Sequence, residues 1–277
     1  MLAGRLLAEF AGYGRSLVAF SGGVDSSVAL AAAVRALGPA EVAAFTAVSP
    51  ALPATELAAA RAFCADLGVT QHTRLTGELD VDGYRGNGPR RCYFCKSVLL
   101  ETAGALAAEQ GFAAIVTGTN ASDVTAGFRP GIRAAAERGA RTPLADLGIS
   151  KGSVRVIAQL WGLRTWDKPA APCLSSRVAY GVPVTAGRLA RIERAEAAVR
   201  TRLSASGRAV TDLRVRDLGD AVRVEIDAGV VDQARGDAGI LAAIRSSGFG
   251  SEPVDVQAFR SGSLNELLPD PKRWRTA

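Results

Sequence analysis

The chain has 277 residues, 48% hydrophobic and 22% charged, with a formal net charge of +6, four cysteines and a single histidine. That is globular composition, enough for one large or two modest domains, and no apolar run reaches the roughly 18 residues of a membrane span. One histidine, His72, excludes chemistry built on paired histidines and a histidine-dependent zinc site, while the charge is a mild bias towards phosphates, nucleotides or RNA that an arginine-rich proteome would also produce.

The first residues, "MLAGRLLAEFAGYGRS", have no continuous apolar core of signal-peptide type and predict an amphipathic helix, so a cytoplasmic protein is expected. Strand-like and helix-like runs then alternate. "SLVAF" predicts a strand and "SSVALAAAVRAL" a helix; "EVAAFTAV" a strand and "ATELAAARAFCADLG" a helix; "TQHTRLT" a short strand. "CKSVLLETAGALAAEQG" predicts a helix, "AAIVTGTN" a strand ending in a polar turn, and "SKGSVRVIAQLWG" a helix ended by glycine. This alternation argues a parallel sheet covered on both faces. The stretch "WDKPAAPCLSSRVAYGVPV" breaks the pattern and reads as a functional loop or linker. Beyond it, "TAGRLARIERAEAAVRTRL" predicts a helix, "LRVRDLGDAVRVEID" two alternating strands around a turn, "GVVDQARGDAGILAAIRSSG" another helix and "VDVQAF" a last strand. The expected organisation is an α/β domain over 1–170 and a smaller α+β domain over 171–277.

The turn "SGGVDSS", residues 21–27, carries the first chemical signal. A glycine-rich strand-to-helix turn leaves several backbone N–H groups aimed at one point, and the helix adds the positive end of its dipole. Two glycines let the backbone approach an anion and the serine hydroxyls add donors. It is neither GxxxxGK[ST] nor GxGxxG. An aspartate in such a cradle makes sense where magnesium bridges it to phosphate. This turn, after a first strand, resembles the PP-loop of the ATP pyrophosphatase superfamily, which cleaves ATP to AMP and pyrophosphate. The resemblance implies a doubly wound parallel sheet of that type. It also implies that Ser21, Gly22, Gly23, Asp25, Ser26 and Ser27 hold pyrophosphate and metal. A second cluster, "VTGTNASD", follows a strand, which would put Gly118, Thr119, Asn120 and Asp123 at the carboxyl edge of the sheet, where open α/β folds bind ligands. Arg129 and Lys151 could approach the same crevice.

Cys64 falls on the apolar stripe of a predicted helix and reads as core. Cys92 and Cys95 form "RCYFC" at a helix start, beside Arg90, Arg91 and Lys96, a setting that lowers a thiol pKa. Cys173 lies in "KPAAPCLSSR". A CxxC by itself fits a redox pair, half a zinc site or nothing. Zinc wants four ligands, and no fourth one stands out. Three thiolates on a cubic iron–sulfur cluster would leave one iron open for a non-protein ligand.

Taken together, "FSGGVDSS", "RCYFCK", "GTNASD", "RPGIRAAAERGARTPLADLGISK", "TWDKPAAPCLSSRVAYG", "LRVRDLGDAVRVEID" and "FRSGSLNE" closely resemble the LarE family of ATP-dependent sulfur transferases, which act in assembly of the nickel-pincer nucleotide cofactor. The resemblance spans nearly the whole chain, and "WDKPAAPCLSSR" is its most specific piece. It implies a pyridinium dicarboxylate mononucleotide as substrate, ATP and Mg2+, adenylation of a carboxylate, and conversion to a thiocarboxylate with loss of AMP. Some members sacrifice the sulfur of the cysteine in the PCL-SR motif. Others carry two further cysteines and are thought to hold a [4Fe-4S] cluster. With Cys92 and Cys95 beside Cys173, this chain looks like the cluster kind, with sacrifice of Cys173 as the alternative.

The resemblance further implies that Ser176 and Arg177 flank the sulfur centre and that Arg214 and Arg216 hold the substrate phosphate. Glu196 and Glu225 match acidic residues associated with a divalent metal, Asp25 and Asp123 would take magnesium, and Lys151 would meet ATP. Expected partners are the nucleotide substrate, further copies in a trimer or hexamer, and other nickel-pincer pathway proteins, with neither membrane nor nucleic acid among them. The competing readings are a PP-loop transfer-RNA thiolation enzyme and a nucleotide-binding regulator without catalysis.

Overall fold

A computed structural model describes residues 2–267; the end of the second expected domain, 268–277, lies outside the described residues. The described chain divides into two compact units, one of residues 2–78 and 90–171, the other of residues 79–89 and 172–267.

The first unit opens with α1 (Leu2–Ala11), whose Leu6 and Phe10, one turn apart, are fully buried. Then β1 (Ser16–Ala19), α2 (Val24–Leu37), β2 (Val42–Val48), α3 (Ala54–Asp66) and β3 (Thr70–Leu75) alternate as the sequence predicts. After an excursion that carries α4 (Asp82–Arg85) into the second unit, α5 (Arg91–Gln110) and β4 (Ala114–Thr117) complete a parallel sheet in the order β3-β2-β1-β4. Every residue of β1 is buried, because helices cover both faces. The side chains of β1 alternate between the two cores. Val18 packs with Val28, Val116 and Ile157, and Leu17 packs with Phe45 and Leu106 on the opposite face. Three short helices, α6 (Ala121–Thr125), α7 (Pro130–Glu137) and α8 (Pro143–Asp146), precede α9 (Lys151–Leu160). The sequence reading passed over these three, since none is long enough to display an apolar period. Ser150 caps α9 by accepting from the Ser153 N–H at 3.2 Å.

The chain leaves β1 towards β2 on one side and reaches β4 on the other, so β1 and β4 flank the topological switch point. The turns after these two strands meet there. A Cβ on Gly118 would lie 2.6 Å from the Ser26 backbone nitrogen and 2.9 Å from the Asp25 carbonyl carbon, so only glycine lets β4 end against the first turn of α2.

The second unit contains α10 (Ala186–Ala205), β5 (Leu213–Asp217), β6 (Val222–Ile226), α11 (Val231–Arg235), α12 (Ala238–Ser246) and β7 (Val254–Ala258). Its sheet runs β5-β6-β7, with β5 and β6 antiparallel and β6 and β7 parallel. The single helix expected over "GVVDQARGDAGILAAIRSSG" is two, because Asp237 interrupts it and caps α12 through the Gly239 N–H at 2.9 Å. All five residues of β5 are buried, including Asp217, whose carboxylate receives Arg188 at 2.7 Å and Arg191 at 2.6 Å. The excursion over 79–89 belongs here for a physical reason. Tyr84 is buried with its hydroxyl 2.5 Å from that of Ser175, and buried Asn87, at φ 53°, donates its amide to the carbonyls of Ala179 (2.8 Å) and Val182 (2.9 Å).

Gly118→Ala is expected to destabilise the first unit by about 1–3 kcal/mol, the usual cost of overpacking a tight contact. Urea unfolding of the variant at wild-type stability would show that β4 and α2 can separate.

Candidate active site

The Ser21–Ser27 turn links β1 to α2, with Gly22 buried at φ 74° and Gly23 as the helix N-cap. The serines organise it. Ser26 Oγ donates to the Gly23 carbonyl at 3.0 Å and lies 3.2 Å from Ser21 Oγ, while the Gly23 N–H reaches Ser21 Oγ at 3.4 Å. Ser27 Oγ is buried and, among the described residues, has no hydrogen-bond partner, an orphan polar atom in the first turn of α2.

The carboxylate of Asp25 is the node of this cluster. Asn120 Nδ2 donates to its Oδ1 at 3.0 Å, and Lys151 Nζ pairs with its Oδ2. The structure therefore brings together the β1–α2 turn, the end of β4 and the start of α9, as the sequence anticipated for Asp25, Gly118, Asn120 and Lys151. Thr119 contributes its carbonyl to the Ala145 N–H (3.1 Å) and its hydroxyl to a contact with Thr117 (3.2 Å). Asp123 does not touch Asp25 in these contacts. It forms a capping box with Asn120 and lies 3.6 Å from Arg129. The resulting site is polar, rich in N–H and hydroxyl donors, and holds one carboxylate whose counter-ion is a partly exposed lysine. Such a donor set fits a phosphate chain with a divalent cation on Asp25.

Sequence reasoning missed Lys168 and Glu56. Lys168, from the "WDKP" motif, donates Nζ to the Gly22 carbonyl at 3.0 Å and pairs with Glu56 of α3 at 2.7 Å. The motif itself was the available signal; the contact joins residues 146 apart in sequence.

Cys92 and Cys95 sit one turn apart at the start of α5, the first exposed and the second half-buried. Burial holds the neighbouring Lys96 ammonium below its ordinary pKa, with the Cys95 thiolate acting in the opposite direction. Cys64 is buried in the core and its thiol is pushed up to about 11 by desolvation.

In the second unit Cys173 presents an exposed thiol on a fixed backbone. Its carbonyl accepts from Ser176 N (2.9 Å), Ser176 Oγ (2.7 Å) and Arg177 Nη1 (3.1 Å). Buried Arg177 forks onto Glu196 of α10, with Nε 2.9 Å from Oε1 and Nη2 3.2 Å from Oε2, and Glu196 Oε1 also accepts the Val215 N–H at 3.1 Å. A pair with both members buried is formed by Arg216 and Glu225. Arg216 donates Nε and Nη2 to Glu225 Oε2 at 3.0 and 2.7 Å and Nη1 to the Ser176 carbonyl at 3.0 Å, and Ser263 donates to Glu225 Oε1 at 2.7 Å. Register puts Arg214 opposite Glu225 and on the same strand face as Arg216. Burial, and next the nearby Arg177, lower the Arg214 pKa from its ordinary value. Both oxygens of Glu196 and of Glu225 are thus engaged by protein donors, an arrangement that suits the holding of Arg177 and Arg216. Within neither unit, among the described residues, do three or more His, Cys, Asp or Glu side chains gather as a metal site.

The parallel sheet, the switch-point turn and the Asp25 node define a PP-loop nucleotide-binding enzyme. A family model described as NAD synthase matches residues 9–79, which contain that turn. A pyridinium-3,5-bisthiocarboxylic acid mononucleotide synthase of Lactiplantibacillus plantarum is 32% identical over 255 residues, 92% of this chain and 90% of its own. Uncharacterized proteins of Synechocystis (41% over 257 residues, 92% and 93% of the two chains) and Methanocaldococcus jannaschii (26% over 183 residues, 66% and 69%) are also similar. The chain belongs to the LarE family of ATP-dependent sulfur transferases. No helix among the described residues is long and apolar enough to cross a membrane.

Thiol labelling at pH 8 should separate the cysteines. A thiol at about 11 is almost wholly protonated there, so Cys64 is expected to react at least about a hundredfold more slowly than exposed Cys92 and Cys173, and to catch up only on unfolding. Equal rates in the native protein would place Cys64 outside the core.

Proposed function

We propose that the protein adenylates a carboxylate of a pyridinium dicarboxylate mononucleotide with ATP and converts the adenylate to a thiocarboxylate, releasing pyrophosphate and then AMP. The observation that carries this reading is the Asp25 node in the "SGGVDSS" turn, a carboxylate among anion donors whose charged partner among the described residues, Lys151, is partly exposed and exchangeable. The name of the Lactiplantibacillus plantarum relative supplies the substrate class.

Asp25 would hold Mg2+, which when bound neutralises phosphate charge and assists departure of pyrophosphate, while Asp123 forms the capping box of α6 with Asn120. The chain's own part is to present the N–H groups of the turn and the Ser21, Ser26 and Ser27 hydroxyls to the β and γ phosphates. Lys151, released from Asp25, then pairs with the phosphate chain. Gly118 keeps the walls of the crevice close, and Thr119 and Asn120 complete its edge. In the second unit Arg214 takes the phosphate of the acceptor, as charge-assisted donors do, and Arg216, on the same strand face, adds its positive charge without leaving Glu225, while Ser176 and Arg177 fix the backbone that bears Cys173.

Cys92, Cys95 and Cys173 are the proposed thiolates of the sulfur step, and Cys92 and Cys173 are exposed. A [4Fe-4S] cluster on these three would supply a sulfide nucleophile. Without a cluster the sulfur is that of Cys173. Its thiolate displaces AMP from the acyl carbon, and loss of the Cys173 α-proton with cleavage of its Cβ–S bond then leaves dehydroalanine and the thiocarboxylate.

Asp25→Ala is expected to abolish pyrophosphate release with the fold intact by circular dichroism; near-wild-type release would remove Asp25 from the reaction. Anaerobically purified protein is expected to be brown, with about four irons per chain. Alanine at Cys92, Cys95 or Cys173 should abolish iron binding and sulfur transfer while adenylation continues. Colourless protein that makes the product once and loses the mass of one sulfur and two hydrogens would establish sacrifice of Cys173 instead. Repeated sulfur transfer by Cys92→Ala would exclude both the cluster and the sacrifice of Cys173.

A further inference from the structure

We propose that Lys168 is a positioning residue for the pyrophosphate turn, pinning the Gly22–Gly23 peptide so that the Gly23 N–H faces the anion. The inference rests on reading residues 21–27 as a pyrophosphate grip, and it assigns a role to a side chain outside that turn.

The geometry is local to the first unit. Lys168 Nζ donates to the Gly22 carbonyl at 3.0 Å and lies 2.7 Å from Glu56 Oε2. The backbone that delivers it is itself held, because Arg155 of α9 donates to the carbonyls of Trp166 (2.6 Å) and Lys168 (2.9 Å). Glu56 stands in the first turn of α3, against which Gly22 packs; a Cβ on Gly22 would lie 3.6 Å from Ala60 Cβ and 3.8 Å from the Glu56 carbonyl oxygen.

The need for such a pin follows from the sequence. A peptide between two glycines turns about its long axis at little steric cost, since neither neighbour carries a Cβ. In a trans peptide the C=O and N–H point in opposite directions. A turned Gly22–Gly23 peptide would therefore aim a carbonyl oxygen at the phosphate and withdraw a donor. Lys168 binds that carbonyl on the α3 side. The N–H emerges on the other side, where it meets the exposed Ser21 hydroxyl at 3.4 Å. With its charge committed to Glu56 and its donor to Gly22, the ammonium acts through the peptide and is not itself a phosphate ligand.

The test is calorimetric titration of the full-length protein with inorganic pyrophosphate in the presence of Mg2+, with AMP as the companion probe. Lys168→Met is expected to weaken pyrophosphate binding about tenfold, the size of one lost charge-assisted hydrogen bond, and to leave AMP affinity unchanged. Lys168→Arg, which keeps both contacts within reach, should bind within about threefold of wild type. Glu56→Gln separates pinning from plain attraction. If Lys168 acted only as a nearby positive charge, removing a carboxylate beside it would tighten pyrophosphate binding. Pinning requires that binding weaken, because the ammonium loses its anchor. Tighter or unchanged binding by Glu56→Gln, or unchanged binding by a folded Lys168→Met, overturns the proposal while leaving the pyrophosphate grip standing. Absence of pyrophosphate binding by the wild-type protein overturns both. Should Lys168→Met fail to fold, Glu56→Gln and Lys168→Arg decide the matter by the same readings.

Discussion

The close approach of Gly118 to the first turn of α2 is the contact on which the first unit's chemistry depends. Two parallel strands leave the sheet in neighbouring positions, and a single methyl group between their turns would collide with backbone atoms at 2.6–2.9 Å. Because nothing intervenes, Asn120 reaches Asp25 and the start of α9 closes over the same carboxylate through Lys151. The switch-point crevice common to open α/β sheets thereby becomes a particular donor set around one acid.

Exposure separates the ion pairs that can exchange from those that hold the frame. The side chains of Lys151 and Asp25 are 41% and 21% exposed, whereas those of Arg216 and Glu225 are 7% and 2% exposed. A partly solvated pair is worth at most about 1 kcal/mol and yields readily to a phosphate or a divalent cation. Breaking a buried pair by removing one partner costs about 3–5 kcal/mol, since the other charge is stranded. The first unit therefore keeps a replaceable counter-ion on Asp25. The second uses Arg177–Glu196 and Arg216–Glu225 to hold the backbone carbonyls of Cys173 and Ser176. A fixed backbone orients the exposed thiol that it bears, and orientation spares the entropy of search for any partner.

Much of the fold was legible along the chain. The alternating apolar runs and helical periods of residues 16–75 are local signals, and a buried central strand such as "SLVA" declares itself by being apolar without interruption. The "SGGVDSS" turn was equally legible, because anion binding by backbone N–H groups requires glycines and hydroxyls at fixed short spacing. Helices as short as α6 and α8 left no period to read. The break at Asp237 was hidden in a run whose composition suits one helix.

What the sequence by itself determined was the α/β class, the anion-binding turn and the candidate cysteines, all properties of contiguous residues. Tertiary structure alone decided which distant groups meet. Asn87 and Tyr84 join the second unit although their neighbours in sequence belong to the first, because a buried amide and a buried phenol find their partners there. Glu196 and Glu225, acidic residues on a helix and a strand, prove to be the partners of Arg177 and Arg216. Lys168 reaches the Gly22 carbonyl across 146 residues of chain. Hydrogen bonds and ion pairs act over about 3 Å of space whatever the separation along the chain, and only the folded chain sets those distances.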